Sequence, residues 1–125
     1  MLFYVKYQVD RDKQADTQAF FANMSEEERA KEIPDGVNLV GRWHDLPNGW
    51  GVAIVEAGSQ EALTGWAMSW SGACTFPVIT PVVDDDTGTK LLKQMQEWIK
   101  FLNRFLLREY FHKHFNDFHH IRHVY

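Results

Sequence analysis

At 125 residues, 45% of them hydrophobic and 14% aromatic, the chain has material for one domain with its own core and is too apolar to be disordered. A formal net charge of -4 argues against a protein that holds nucleic acid by bulk charge, and the lone Cys74 excludes an intrachain disulfide. No window approaches the ~18 apolar residues of a membrane span, and Met1–Lys6 lacks the basic leader and long apolar run of a signal peptide, so a cytosolic protein without membrane attachment is expected.

The average charge hides an asymmetry. Residues 1–86 hold 6 Lys/Arg against 14 Asp/Glu, whereas residues 87–125 hold 7 against 3 and five of the six histidines. An acidic body of residues 1–86 and a basic tail of residues 87–125 are the expected parts.

Along the body, Leu2 to Val9 alternates Phe3, Val5, Tyr7 and Val9 against Lys6 and Gln8, the period of a strand. Asp10 and Asp12 are positioned to cap a helix from about Lys13 to Met24, with Ala15, Ala19, Phe20 and Met24 inward. Ser25-Glu26-Glu27-Glu28 has capping-box form and restarts a short acidic helix, which Pro34-Asp35-Gly36 stops. Val37 to Leu46 reads as a second strand, Pro47-Asn48-Gly49 as a hairpin turn, and Trp50 to Ala57 as its antiparallel partner. Ser59 caps a helix carrying Ala62, Leu63, Trp66, Ala67 and Trp70; Gly65 inside it suggests close packing, and Ser71-Gly72 ends it. Cys74 to Val83 is a fourth strand, placed at an edge or bulge by Pro77 and Pro81. Asp84-Asp85-Asp86 reads as a solvated turn.

Strand, helix, strand, strand, helix, strand is the ferredoxin-like βαββαβ plan, an α+β fold with a four-stranded antiparallel sheet. Two helices cover one face, so the other, also carrying apolar residues, is expected to meet a second copy of the chain.

The chemistry of the body concentrates in Gly41-Arg42-Trp43-His44-Asp45, a cation, an indole, an imidazole and a carboxylate in succession. On a strand Arg42 and His44 point to one face and Trp43 and Asp45 to the other. Which pair faces the helices depends on the hairpin register around Pro47, which the sequence leaves open. If Arg42 and His44 face the second helix, they meet Trp66 and Trp70 in an aromatic-walled pocket suited to a small, partly apolar anion. His44 is then the candidate acid or base, with Glu56 on the adjacent strand setting its tautomer. Arg42, Trp43, Glu56, Trp66 and Trp70 are the candidate ligand-binding residues. The competing structural reading has Arg42 bridged to a carboxylate, His44 bonded to a backbone carbonyl and the tryptophans filling the core. No nucleophile–base pair, phosphate-cradling loop or feature activating Cys74 is apparent.

These residues, followed by Gly51-Val52-Ala53-Ile54-Val55-Glu56, Glu61-Ala62-Leu63 with Trp66 and Trp70, and Val78-Ile79-Thr80-Pro81-Val82-Val83-Asp84-Asp85, resemble domain-of-unknown-function family 3303 over roughly residues 1–86. That family is in turn similar to the dimeric α/β-barrel superfamily, with its stress-responsive barrels and antibiotic-biosynthesis-type monooxygenases. The resemblance implies a fold and a homodimer, and carries over no catalytic residues.

In the tail, Leu92, Met95, Ile99, Leu102 and Leu106 recur at spacings of 3 and 4. Leu91, Trp98, Phe101 and Phe105 widen that stripe into a long amphipathic helix beginning near Thr89. It is expected to pack on its own body or on the other subunit, or else to dock a protein partner. Beyond it, His119, His120 and His123 have the spacing to clasp a divalent ion, with Asp117 near. Against this stands a simple solvated tail, and no motif in the chain requires a cofactor.

The expectation is thus a cytosolic homodimer binding a small molecule in a sheet–helix pocket, with cofactor-free monooxygenase- or isomerase-like chemistry as its enzymatic form. The alternative is a non-enzymatic adaptor that dimerises through the barrel and holds a protein partner on its C-terminal helix.

Overall fold

Alternation of apolar side chains makes the first strand, β1 (Leu2–Val9), bury Phe3, Val5 and Val9 on one face. The structure, a computed structural model, describes the backbone of residues 1–124 and the side chains of residues 1–114. After β1 come a 3-10 turn at Arg11–Lys13, α1 (Gln14–Ala22), α2 (Glu26–Glu32), β2 (Val37–Asp45) and β3 (Trp50–Ala57). They are followed by α3 (Gln60–Ser69), β4 (Cys74–Val82) and α4 (Asp85–Val124). The strands form one antiparallel sheet in the order β2-β3-β1-β4, which is the ferredoxin-like topology.

The turn and cap signals place the boundaries. Ser25 and Glu28 make the reciprocal capping box, Glu28 N to Ser25 Oγ at 3.1 Å and Ser25 N to Glu28 Oε1 at 3.3 Å. Ser59 Oγ accepts from Ala62 N at 3.1 Å at the head of α3. The β2–β3 connection is a four-residue loop in which Gly49 alone takes a positive φ, +70°, while Asn48 binds back to the Asp45 carboxylate. Asn-Gly therefore closes a longer loop rather than the two-residue turn its sequence suggests.

Several local expectations are corrected. Asp10 makes no side-chain cap. Its carboxylate instead lies 3.8 Å from Lys13 Nζ. The inward side of α1 is Gln14, Thr17, Gln18 and Phe21, with Met24 beyond its end. Ala15 and Ala19 face outward, whereas Phe20, though 58% exposed, sets its ring edge-on to Trp70 with centroids 6.2 Å apart. The alanine stripe misleads because α1 roofs a cavity and inserts no residue into the core, so its inner face tolerates polar side chains. A Cβ on Gly65 would meet nothing within 4 Å, so this glycine serves no close approach. Asp84 is solvated as expected, but it caps α4 rather than sitting in a turn. Its Oδ1 accepts from Thr87 N at 2.8 Å, a bond that holds the carboxyl below its ordinary range. With Asp85 and Asp86 in the first turn, α4 starts four residues before Thr89.

The core is continuous between the sheet and α3. Phe3, Val5, Val37, Ala53, Val55 and Ala57 from the strands pack with Leu63 and Trp66. Removing the Val, Leu and Phe side chains among them from water contributes about 1.5–3 kcal/mol each. Pro77 and Pro81 fall on β4, an edge strand, where a missing N–H costs no ladder bond on the open side. The opposite face of the sheet carries Val40, Trp43 and Val78 exposed, with Tyr4, Val52 and Ile54 half-buried.

The chain divides into two compact units, the first Met1–Val82 and the second beginning at Val83. Within α4, Trp98 stacks on Phe101 and Phe101 on Phe105, with ring centroids 5.2 and 6.3 Å apart, and Glu97 pairs with Lys100 at 3.3 Å. Among the described residues, no helix is long and apolar enough to cross a membrane.

Candidate functional site

The pairing registers set a row of three residues across the sheet. Tyr7 on β1 and His44 on β2 both pair with Gly51 on the strand between them. With no side chain on Gly51, the flanking side chains close over its backbone, and the Tyr7 hydroxyl hydrogen-bonds His44 Nδ1. A Cβ at Gly51 would lie 2.5 Å from both Tyr7 Cε1 and the Trp43 carbonyl oxygen. The next row is Val5, Ala53 and Arg42. Small residues at 51 and 53 thus lower the middle of the sheet and leave space above it.

That space is a cavity of about 430 Å³ between the sheet, α1 and α3, within the range of small-molecule sites. Its wall includes Arg42, His44, Trp66 and Trp70, the four residues expected to meet there. It also includes Tyr7, Phe21 and Cys74, which the motif does not reveal. Phe21 of α1 is the aromatic hub. Its ring lies 5.4 Å from that of His44 and 6.5 Å from that of Trp70, and the Arg42 guanidinium sits over it at 4.9 Å.

Arg42 is not a free cation. Its Nη1 donates to Glu32 Oε1 at 2.8 Å, with the two side chains 16% and 5% exposed. The same oxygen accepts from Trp70 Nε1 at 2.9 Å. Glu32, the last residue of α2, therefore ties β2 to the end of α3 and neutralises the positive charge beside the cavity. Arg42 thus follows the structural reading, while its neighbours line a cavity.

Among the described residues His44 has no backbone carbonyl partner; Tyr7 takes that place. Burial, reinforced by the Arg42 charge, pushes the imidazole below its ordinary value, so it is neutral at pH 7. Burial raises the Tyr7 phenol, with Arg42 opposing and Cys74 adding to the rise. Cys74 is pushed up to about 11, first by burial and then by Asp10, and its thiol donates weakly to the Trp70 carbonyl at 3.5 Å. It is an inert thiol in the cavity wall.

The remaining expected residues fall elsewhere. Glu56 lies on the opposite face of the sheet, where Asn38 Nδ2 donates to it at 3.4 Å, so it does not set the His44 tautomer. Trp43 is on that same face, 61% exposed, beside a shallow depression with Pro47, Trp50 and Val52. His119, His120 and His123 lie outside the residues whose side chains are described. Among the described residues no group of three metal-ligating side chains forms.

Tyr7 had a signal in the sequence, as the one hydroxyl on the otherwise apolar face Phe3, Val5, Val9. Glu32 had none, since its partner is reached only once α2 folds beside β2.

The chain matches a family model, Domain of unknown function (DUF3303), over residues 1–96. It belongs to that family. The match runs past residue 86, so the DUF3303 region takes in the start of α4 as well as the whole sheet and its cavity. No curated protein and no solved structure matches the chain. The site of this DUF3303 member is accordingly argued from its own side chains.

Proposed function

We propose that this protein is a cytosolic homodimer that binds a small, largely apolar molecule in the cavity between sheet and helices. The observation that carries the reading is the cavity itself. A well-packed interior has few voids larger than a water molecule, yet here several hundred Å³ stand open beside a paired tyrosine and histidine. With Arg42 matched by Glu32 and His44 uncharged, the site favours a neutral molecule over the anion that Arg42 alone would suggest. Cofactor-free monooxygenase- or isomerase-like chemistry would draw on the same pair, with His44 stabilising negative charge that develops on a ligand oxygen.

The homodimer reading is supported by the uncovered sheet face, where Val40, Trp43 and Val78 are exposed beside Tyr4, Val52 and Ile54. A second reading rests on α4, whose Leu92, Met95, Ile99 and Leu106 are all about half exposed or more, with Leu102 less so. In that reading the helix binds a protein partner and the barrel only dimerises.

Thr17 lines the cavity from α1 without entering the core, so Thr17→Trp fills the space while leaving the fold intact. In a thermal-shift screen of small aromatic compounds, the wild type is expected to be stabilised by a subset that leaves Thr17→Trp unmoved. Equal responses from the two proteins would defeat the pocket. For the dimer, sedimentation of the full chain is expected to give twice the chain mass, and Trp43→Arg with Val78→Arg to give the monomer. If Leu92→Glu with Ile99→Glu dissociates the dimer instead, α4 and not the sheet holds it.

A further inference from the structure

The apolar face of α4 is broad, sharply bounded and open to solvent. At about 100° per residue, the apolar side chains from Leu91 to Leu106 fill about half the circumference of the helix. Gln94 interrupts that arc near one margin, Leu107 lies on the far side, and Glu109 falls at its centre and ends it. The face runs for about 24 Å at the rise of an α-helix. Leu92, Met95, Trp98, Ile99, Phe101 and Phe105 are each about half exposed or more.

Its two margins differ. Along one of them Trp98 stacks on Phe101 and Phe101 on Phe105, and the exposed Lys90, Lys93, Lys100, Arg104 and Arg108 fill the arc beside them. The aliphatic margin of Leu92 and Ile99 is bordered instead by the neutral Gln96 and Asn103. Between residues 87 and 108 those five cations meet one carboxylate, Glu97, which pairs with Lys100 at 3.3 Å. Lys and Arg stems lie along apolar surface while their heads stay in a polar layer, and aromatic rings settle at the boundary between the two.

A second α4 fits this face poorly. The seam Leu92, Met95, Ile99, Leu102 and Leu106 covers two heptads, and Glu109 takes the next seam position. Such a seam, like the anchor row of a helix in a protein groove, is narrower than the arc and leaves Phe101 and Phe105 uncovered. A planar interface covers the whole arc at once. We propose that α4 lies flat on an anionic lipid membrane, its apolar half among the acyl chains and its basic margin at the headgroups. The carboxylate-rich residues 1–86 are repelled by such a surface, so the attraction belongs to the helix. Lying on a membrane needs no continuous apolar run, and among the described residues no helix is long and apolar enough to cross one. The anchor is separate from the cavity and goes beyond it.

Flotation of the full-length protein with lipid vesicles tests it. Phosphatidylcholine vesicles with roughly 30% phosphatidylserine are expected to bind it at least ~10-fold more tightly than phosphatidylcholine alone, and to release most of it at high salt. Trp98→Glu with Phe101→Glu is expected to abolish binding to both. Lys93→Gln, Lys100→Gln and Arg104→Gln together leave the apolar face intact and are expected to bring the two vesicles within ~3-fold of each other. Equal binding of the wild type to both vesicles, or undiminished binding of either variant to the anionic one, overturns the proposal. So does the absence of vesicle binding by the wild type. In that event a dimer dissociated by Leu92→Glu with Ile99→Glu gives the face to a second copy, and a dimer that survives gives it to a protein partner.

Discussion

Glu32 and Arg42 meet at 2.8 Å with both side chains almost withdrawn from solvent, and Trp70 donates to the same carboxylate oxygen. Removing one partner of such a pair strands the other. Glu32→Ala is therefore expected to cost about 3 kcal/mol in urea unfolding. The double change Glu32→Met with Arg42→Met should cost less than Glu32→Ala, because no buried charge is left unmatched. A double variant as unstable as the single one would show that the pair contributes nothing beyond its packing.

His44 gives the protein an acid-sensitive component. Its folded value is depressed below the ordinary histidine value, so the unfolded chain takes up the proton first as pH falls. The stability tied to the neutral imidazole is complete above about pH 6.5 and is lost as pH drops through the folded value. His44→Phe is expected to flatten the pH dependence of the melting temperature between pH 7 and 5.

Gly51→Ala tests the row across the sheet. The new methyl would press on the Trp43 carbonyl, which is backbone and cannot swing away, as well as on the Tyr7 ring. A loss of about 1–3 kcal/mol is expected. A shift of the His44 ring resonances in NMR would accompany it, as the Tyr7 hydroxyl leaves Nδ1. Tyr7→Phe should move the same resonances at a smaller cost in stability, which separates the lost hydrogen bond from the steric clash.

Cys74, at about 11, remains a thiol well above neutral pH. Alkylation of the folded protein at pH 8 is expected to be at least ~10-fold slower than in urea, since the thiolate is the reactive form. The stability tied to this protonated thiol is present below about pH 9 and declines as pH rises towards 11. A ligand seated in the cavity should slow folded-state alkylation further, because Cys74 lines it. Rapid labelling of the native protein would contradict the buried placement.

Much of the architecture was legible because its punctuation is local. Ser25, Ser59, Pro34-Asp35-Gly36 and the hairpin loop each act through neighbours a few residues away, so the element order follows from short stretches. The halves of the motif also sorted correctly, since alternation along a strand needs no tertiary information. The phase of α1 was not legible, because that helix buries no residue and its inner face mixes Thr17 and Gln18 with Phe21. Tyr7 stood in view on β1, but its meeting with His44 depends on a glycine in the strand between them. Glu32 was hidden by distance of a different sort, its role depending on how α2 folds back beside β2.

The register of β2 against β3 shifts between Leu39 and Gly41, leaving Val40 without a partner across the ladder. Before that point the odd-numbered residues Val37 and Leu39 face the helices; after it the even-numbered Arg42 and His44 do. One supernumerary residue thus acts as a parity switch for the whole motif. A β2 that kept Val40 but paired it in regular alternation would keep every residue of Gly41-Arg42-Trp43-His44-Asp45 and yet turn the indole and carboxylate indoors, exiling the guanidinium and imidazole, whereas deleting Val40 would leave Arg42 and His44 facing the helices. Within this fold the identity of the chamber's wall is set by where the bulge falls as much as by composition, and losing the bulge while keeping the residue would rewrite that wall more thoroughly than most substitutions inside it.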